Sequence, residues 1–465
     1  MKANIIQPVI GMFVEERNAS NLNELLSSWS PEEVAALIDQ FKDEEERFFI
    51  FECLPHGLAA QSFEYLEVEY QKEFLEQLRP ERVPDILNEM SADDRTSLLQ
   101  ELPEDTVKHL LSVLSPRERT IALSLLGYPE NSVGRLMTPD YTAVHADWTI
   151  AQVLEYIRTH GRDSETLNVI YVIDDKGYLI DDFRVRELLL AHPDGTVQDL
   201  MDHKFQSLFV DDDQEEVVAK FRNFNRVALP VTDKNGLLLG IVTVDDVLEV
   251  AEEESTEDIQ KLGAVEAFDE PYMTIPLFRM IKKRAGWLVI LFLSEMLTAT
   301  AMGFFEDEIA KAVVLALFVP LIISSGGNTG SQASTLVIRA MALGEIKLRD
   351  WWRVMRREIY AGLALGSLLG FIGFCRIAIW QQFFTHDGHS MYGEHWILVG
   401  TTVGAALIGI VLWGTIAGSM LPMILKKCRL DPATSSAPFV ATLVDVTGLI
   451  IYFSIAMIIM RGTLL

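Results

Sequence analysis

Cysteine is scarce in this 465-residue chain. Cys53, Cys375 and Cys428 are scattered, with no CxxC pair and no even framework. That argues against disulfides and suits a reducing compartment. Basic charge is also in deficit, with a formal net charge of -28. A surface that acidic excludes nucleic acid as a partner, because phosphate binding needs clustered Lys and Arg. No GxxxxGK[ST] loop and no DKTGT phosphorylation sequence is present, which argues against a primary pump. No catalytic constellation appears, so the chain does not read as an enzyme. The opening MKANIIQPVIGMFVEERN lacks a long apolar core with a small-residue cleavage site, and no signal peptide is expected.

The charge that is present is unevenly placed. Residues 1–270 carry 56 Asp and Glu against 23 Lys and Arg, while residues 271–465 carry 11 against 16. An acidic soluble half is followed by a membrane half. The stretch that organises the second half is APFVATLVDVTGLI, residues 437–450, where Asp445 interrupts an apolar run that continues to Met460. A carboxylate in hydrocarbon costs a few kcal/mol or more, so such a residue marks an ion pathway more often than a helix-pairing role.

Residues 1–132 read as a helical acidic domain. Helix-start chemistry recurs at Ser30-Pro31-Glu32-Glu33, Arg79-Pro80-Glu81, Ser91-Ala92-Asp93-Asp94, Leu102-Pro103-Glu104-Asp105 and Ser115-Pro116-Arg117-Glu118. Short repeated helices predict a small superhelical stack. Residues 133–250 then alternate β and α patterns in two similar units. Each carries a β-rich run followed by an acidic-Gly hairpin turn, Asp174-Asp175-Lys176-Gly177 and Asp233-Lys234-Asn235-Gly236. The order, closed by GIVTVDDVL, resembles a tandem pair of CBS domains, placed at 133–200 and 201–250. Such pairs often bind adenine nucleotides. The resemblance puts Thr243 and Asp246 at positions commonly used for ribose or phosphate, which makes ATP a candidate ligand. A purely structural dimerisation module is the alternative.

Residues 251–275 are expected to form an acidic connecting helix. Glu249, Glu253 and Glu257 fall at i, i+4 spacing, as do Glu254 and Asp258, and like charges at that spacing repel. Asp211, Asp212, Asp213, Glu215 and Glu216 form a second acidic run. Either these are solvated faces, or they sense a divalent cation, since hard cations prefer clustered carboxylate oxygens.

Residues 276–465 hold five apolar segments, near 285–305, 311–338, 358–382, 396–425 and 437–460, each long enough to span a bilayer. Lys282-Lys283-Arg284 precedes the first. Lys347, Arg349, Arg353, Arg356 and Arg357 lie between the second and third, and Lys426, Lys427 and Arg429 between the fourth and fifth. Positive-inside counting therefore predicts a cytosolic N-terminus and an outside C-terminus. Arg376, late in the third span, is expected to snorkel outward. His386, His389 and His395 are expected to be simply exposed. Gly326, Gly327, Asn328, Thr329, Ser331 and Gln332 interrupt the second span. Their density predicts irregular backbone lining a polar pore near Asp445, with a tight helix crossing as the alternative.

This architecture is multidomain: a cytosolic all-α superhelical N-domain, tandem α/β CBS domains, an acidic connecting helix and a five-helix transmembrane domain. With PLIISSGGNTGSQASTLVIRAMALGEI, TEDIQKLGAV and DPATSSAPFVATLVDVTG, it resembles the MgtE family of bacterial magnesium channels over nearly the whole chain. The resemblance implies a homodimer in the bacterial inner membrane, with one ion path formed by the second and fifth spans. It implies Asp445 as the essential pore carboxylate and the Ala441 carbonyl as a second ligand for hydrated Mg²⁺. It also implies closure by cytosolic Mg²⁺ at Asp213, Glu215, Asp246, Glu249, Glu254, Glu257 and Asp258, with Asp431 on the membrane side and Asp93 or Asp94 from the helical domain. Ser331 and Ala437 depart from relatives that carry Asn there. A Na⁺- or H⁺-coupled exchanger of Mg²⁺, Co²⁺, Ni²⁺ or Mn²⁺ is the competing reading, and a membrane-tethered sensor that moves nothing is a third.

Overall fold

The computed structural model describes residues 2–268, 272–273, 275–383, 392–434 and 436–463. His386 and His389 lie outside the described residues. Two compact units emerge, Met1–Glu252 and Glu253–Leu465.

The first unit opens with ten α-helices, from Lys2–Glu15 to Pro116–Leu126. Their starts follow the capping chemistry of the sequence. Ser30 and Glu33 form a capping box ahead of Pro31–Ile38, and Ser115 caps Pro116–Leu126 by accepting from the Glu118 amide. Packing skips a helix. Pro31–Ile38 packs on His56–Glu64, which packs on Arg82–Glu89, which packs on Glu104–Val113. Stacking alternate helices buries one continuous apolar seam, including Leu37, Phe51, Phe63, Phe74 and Leu87.

Two small sheets follow. Strands β1 (Ala143–His145), β2 (Val169–Ile173) and β3 (Leu179–Arg184) form one; β4 (Leu208–Phe209), β5 (Ala228–Thr232) and β6 (Leu238–Thr243) form the other. In each, the first pair is parallel and the second antiparallel. Both hairpins turn on a glycine with positive φ, Gly177 at 86° and Gly236 at 90°. Asp174 accepts from the Lys176 and Tyr178 amides, and Asp233 from those of Asn235 and Leu237. The hairpins then pair with each other: Leu179 N–H donates to the Gly236 carbonyl and Leu238 N–H to that of Gly177. A shared core of Val169, Tyr171, Leu179, Ala228, Leu238 and Ile241 joins the two sheets.

The connecting helix runs Val244–Leu262, straight out of β6. It is shorter than the acidic sequence suggested. Ala264 adopts φ 57° and the Val265 amide donates back to the Gln260 carbonyl, a C-terminal cap that stops the helix.

The second unit contains five helices long and apolar enough to cross a membrane. They are Leu277–Phe304, Val319–Ala342, Trp351–Phe383, Trp396–Lys427 and Ala437–Ile459, here the first to fifth spans. The second span is one continuous α-helix through Gly326–Gln332, so the irregular backbone predicted there does not exist. Its glycines serve close approach. A Cβ on Gly326 would lie 2.5 Å from Ile410 and 2.8 Å from Val444, and one on Gly414 would lie 2.6 Å from the Gly326 carbonyl oxygen. Gly326, Gly327 and Thr329 are buried between helices, not in open space. Arg376 lies one turn before Trp380 with its guanidinium 4.3 Å from the ring centroid, which shields its charge at that end of the third span.

The seam sets a clear expectation. Gly414→Val should destabilise the chain by about 1–3 kcal/mol or more, because backbone cannot yield as a side chain can. Gly11→Ala, at a helical glycine with nothing within 4 Å, should be neutral or gain up to about 1 kcal/mol. Thermal unfolding in detergent checks the pair; equal midpoints for both variants would sink the packing account.

Candidate ion pathway and acidic sensor sites

Asp445 sits on the third turn of the fifth span, which Ser436 caps and Pro438 helps start. Its side chain is half-buried. The second span presents Gly327 there: a Cβ on Gly327 would meet Asp445 Oδ1 at 3.6 Å and Ala441 Cβ at 3.3 Å. The missing side chain is what lets the second span pack closely on Ala441, with the carboxylate in ordinary contact beside it. Ala441 precedes Asp445 by one helical turn, within the same continuous helix. Ser331 donates to the Ala437 carbonyl at 3.0 Å, tying the two spans together at the fifth span's start.

Of the residues expected to line a pore, Asn328 and Gln332 are exposed and Ser331 is half-buried. With exposed Ser324 they form a polar stripe at i, i+4 spacing on the second span. Asn328 Nδ2 approaches Ser324 Oγ at 3.4 Å along that stripe.

The first unit assembles a carboxylate cluster that the sequence only partly revealed. Asp93, Asp94 and Asp246 lie within electrostatic reach of one another, and Glu64, Glu165 and Asp245 act on them in turn, without three of them converging on one point. Among the described residues, no Lys or Arg is ion-paired with any of the six. Arg95, on the same helix as Asp93 and Asp94, is buried with its guanidinium committed to Glu118 at 2.5 Å and to the Leu87 and Met90 carbonyls. Asp93 is buried, and its Oδ1 has no hydrogen-bond partner. Burial first, then the charges of Asp246 and Asp94, pushes the Asp93 carboxyl well up. Burial likewise lifts Asp246 and Glu64 to about 7, against hydrogen bonds from Thr243 and Ser91 that favour the charged forms. An orphaned carboxylate oxygen among uncompensated acids fits a hard cation.

Thr243 and Asp246, the residues expected at a nucleotide, bond to each other. The Thr243 hydroxyl donates to Asp246 Oδ2 at 2.5 Å and its amide at 3.1 Å, so the Asp246 carboxylate reaches back to hold the start of the connecting helix. Asp213 likewise caps the helix Gln214–Phe224, accepting from the Glu215 amide. Both aspartates therefore hold helix starts as well as charge. Glu249 is exposed and Glu254 half-buried on the connecting helix.

In the second unit, Glu257, Asp258 and Asp431 meet around a residue the sequence reading passed over. Lys261 Nζ lies 2.7 Å from Glu257 and 2.7 Å from Asp431. The two carboxylates push its pKa up despite burial, and Asp258 is raised by burial and by Asp431. An ammonium already supplies one positive charge among these three carboxylates. Among the described residues, no three His, Cys, Asp or Glu side chains converge as a preformed metal cage.

The cluster in the first unit fixes a pH dependence. Asp246 and Glu64 have folded-state pKa values of about 7, above the ordinary 3.8 and 4.5. Between these limits the folded chain binds more protons than the unfolded one, so stability falls as pH rises from about 4 to about 7. In EDTA, the unfolding midpoint of the full chain should drop from pH 5 to pH 8. Asp93→Asn should flatten that slope and raise the pH 8 midpoint, while Mg²⁺ should rescue the wild type more than the variant. A midpoint that climbs from pH 5 to 8 in EDTA would remove the cluster from consideration.

Comparison with known proteins places this arrangement. A family model described as a divalent cation transporter matches residues 319–455. The MgtE intracellular N domain matches 29–131, and CBS domains match 133–193 and 197–253. The magnesium transporter MgtE of Thermus thermophilus is 39% identical, with 97% of each chain covered. That of Enterococcus faecalis is 31% identical over 91% of this chain and 90% of the relative. Among solved structures, the cytosolic domain of the Mg²⁺ channel MgtE in complex with ATP has TM-score 0.50 and 36% identity, covering 52% of this chain and 98% of that one. The soluble part of a magnesium transporter has TM-score 0.51 and 27% identity, covering 54% and 99%. With its helical domain, paired CBS sheets and five apolar spans in one chain, this multi-pass membrane protein belongs to the MgtE family.

Proposed function

We propose that the chain conducts Mg²⁺ across the bacterial inner membrane through a path that passes Asp445. The observation that carries this reading is Asp445 itself: a half-buried carboxylate mid-span, lying against a glycine of the second span, without a basic partner among the described residues. The exposed Ser324, Asn328 and Gln332 stripe supports it, because a lipid-facing helix does not repeat amides and hydroxyls on successive turns. Mg²⁺ sheds its waters reluctantly, so carboxylate and carbonyl oxygens hold it through hydration water, and such weak contacts also release it.

In this reading two copies assemble about the path, each contributing Asp445 and the Ala441 carbonyl. The acidic half faces the cytosol and the C-terminus lies outside, following the basic loops. Cytosolic Mg²⁺ closes the path. Asp93, Asp94 and Asp246 offer the strongest demand for a cation, and Asp213, Glu215, Glu249 and Glu254 add charge around the CBS pair. Glu257, Asp258 and Asp431 form the membrane-side group. Cation binding cancels repulsion and favours one of two arrangements. ATP is a second ligand of the CBS pair; its support is the ATP-bound cytosolic domain of the similar Mg²⁺ channel.

The test is Mg²⁺ flux into proteoliposomes held low in Mg²⁺ on the acidic-domain face. Asp445→Ala should abolish most of the flux in a folded protein, because the path loses the carboxylate that draws the divalent ion in. Wild-type flux in that variant defeats the assignment. Single-channel currents distinguish conduction from coupled exchange.

A further inference from the structure

The first span carries a carboxylate of its own. Glu295 lies in the apolar run WLVILFLSEMLTATAMGFF, about 16 Å along the helix from Arg284. It is exposed in the protomer and forms no ion pair among the described residues. A carboxylate at that depth facing acyl chains carries the same cost as Asp445 would.

The packing brings the two acids to one level. The first span packs on the fifth, and spans that alternate in direction make the first and fifth parallel. Phe305, just past the first span, stacks on Phe453 of the fifth, with ring centroids 5.1 Å apart. Glu295 precedes Phe305 by ten residues and Asp445 precedes Phe453 by eight, so the two carboxylates differ in height by only about 3 Å. Their charges lie within electrostatic reach of each other. A separate observation points to a ligand. Thr298, one turn beyond Glu295 on the same face, is only 7% exposed, and its hydroxyl has no hydrogen-bond partner. It is the most buried residue of the first span, on the side that packs against the fifth. A helical Thr ordinarily satisfies its hydroxyl on the preceding turn.

We propose that Glu295 is a second intramembrane carboxylate of the ion path, forming with Asp445 and the Thr298 hydroxyl a mid-bilayer station for a hydrated divalent cation. The inference rests on the proposed role of Asp445. Glu295 acts through charge: it raises the local concentration of divalent ion over monovalent ion, and Thr298 bonds a water of the ion's shell.

The experiment is Mg²⁺ flux from the full-length chain in proteoliposomes, measured against external Mg²⁺ concentration. Glu295→Gln should raise the half-maximal concentration about 10-fold, the lower end of what a focused charge supplies. Glu295→Asp should restore most of it. An unchanged concentration dependence in Glu295→Gln, with Asp445→Ala inactive, overturns the role of Glu295 and leaves that of Asp445 standing; full flux in Asp445→Ala removes both. If Glu295→Gln does not fold, Glu295→Cys decides in a background of Cys53→Ser, Cys375→Ser and Cys428→Ser. Modification by a membrane-impermeant cationic thiol reagent, slowed by Mg²⁺, supports a hydrated cation site. Absence of modification, or modification indifferent to Mg²⁺, overturns it.

Discussion

A carboxylate removed from water must find a positive charge, take up a proton or push its surroundings apart. This chain places acids in that predicament repeatedly and withholds the basic residues that would resolve it. Asp93 is the clearest case. Its Oδ1 is buried with no partner. Arg95, two residues on, leaves the same helix on another face, and its hydrogen bonds go to Glu118 and to two backbone carbonyls. The unmet demand is a standing free energy that a cation can relieve, and its size depends on how well the site is kept dry.

In the membrane half it is the glycines that set the geometry. Gly326, Gly330, Gly414 and Gly418 bring the backbones of the second and fourth spans into direct contact. That contact fixes the second span's rotation, placing Gly327 against Asp445 and turning Ser324, Asn328 and Gln332 to the opposite side of the seam. Rotation by one residue would carry an amide into the seam and a glycine to the polar face. The small residues therefore position Asp445 and the polar stripe of the proposed path without contributing a ligand side chain.

Much of this was readable from the chain. Ser-Pro-acid starts, Asp-x-x-Gly hairpins and five apolar segments each encode a local structure, and local structure is what periodicity reports. Glycine density in the second span was ambiguous, because close packing and broken backbone demand the same residues; only the neighbours' positions decide. Glu64 and Glu165 were invisible as partners of Asp93 because they come from separate elements of the chain. Lys261 was overlooked beside so many acids, and its partner Asp431 is 170 residues away. Glu295 is different. It is a lone acid within an apolar run, the same signal that singled out Asp445, and the hydropathy of its neighbours concealed it.

The two acidic groups differ in a way that bears on how a cation would act on them. A ligand shifts an equilibrium only by its differential affinity for the two states. Around Asp93 and Asp246 no Lys or Arg is ion-paired among the described residues, so a divalent ion gains the full relief of buried repulsion. Around Glu257, Asp258 and Asp431 the Lys261 ammonium already supplies one positive charge at 2.7 Å from two carboxylates. A divalent ion there must displace or share with Lys261, and gains only the difference between two charges and one. Under the proposed gating, the cluster of the helical domain and the CBS pair therefore responds at lower Mg²⁺, while the membrane-side group is held together by the chain's own cation until the ion is abundant.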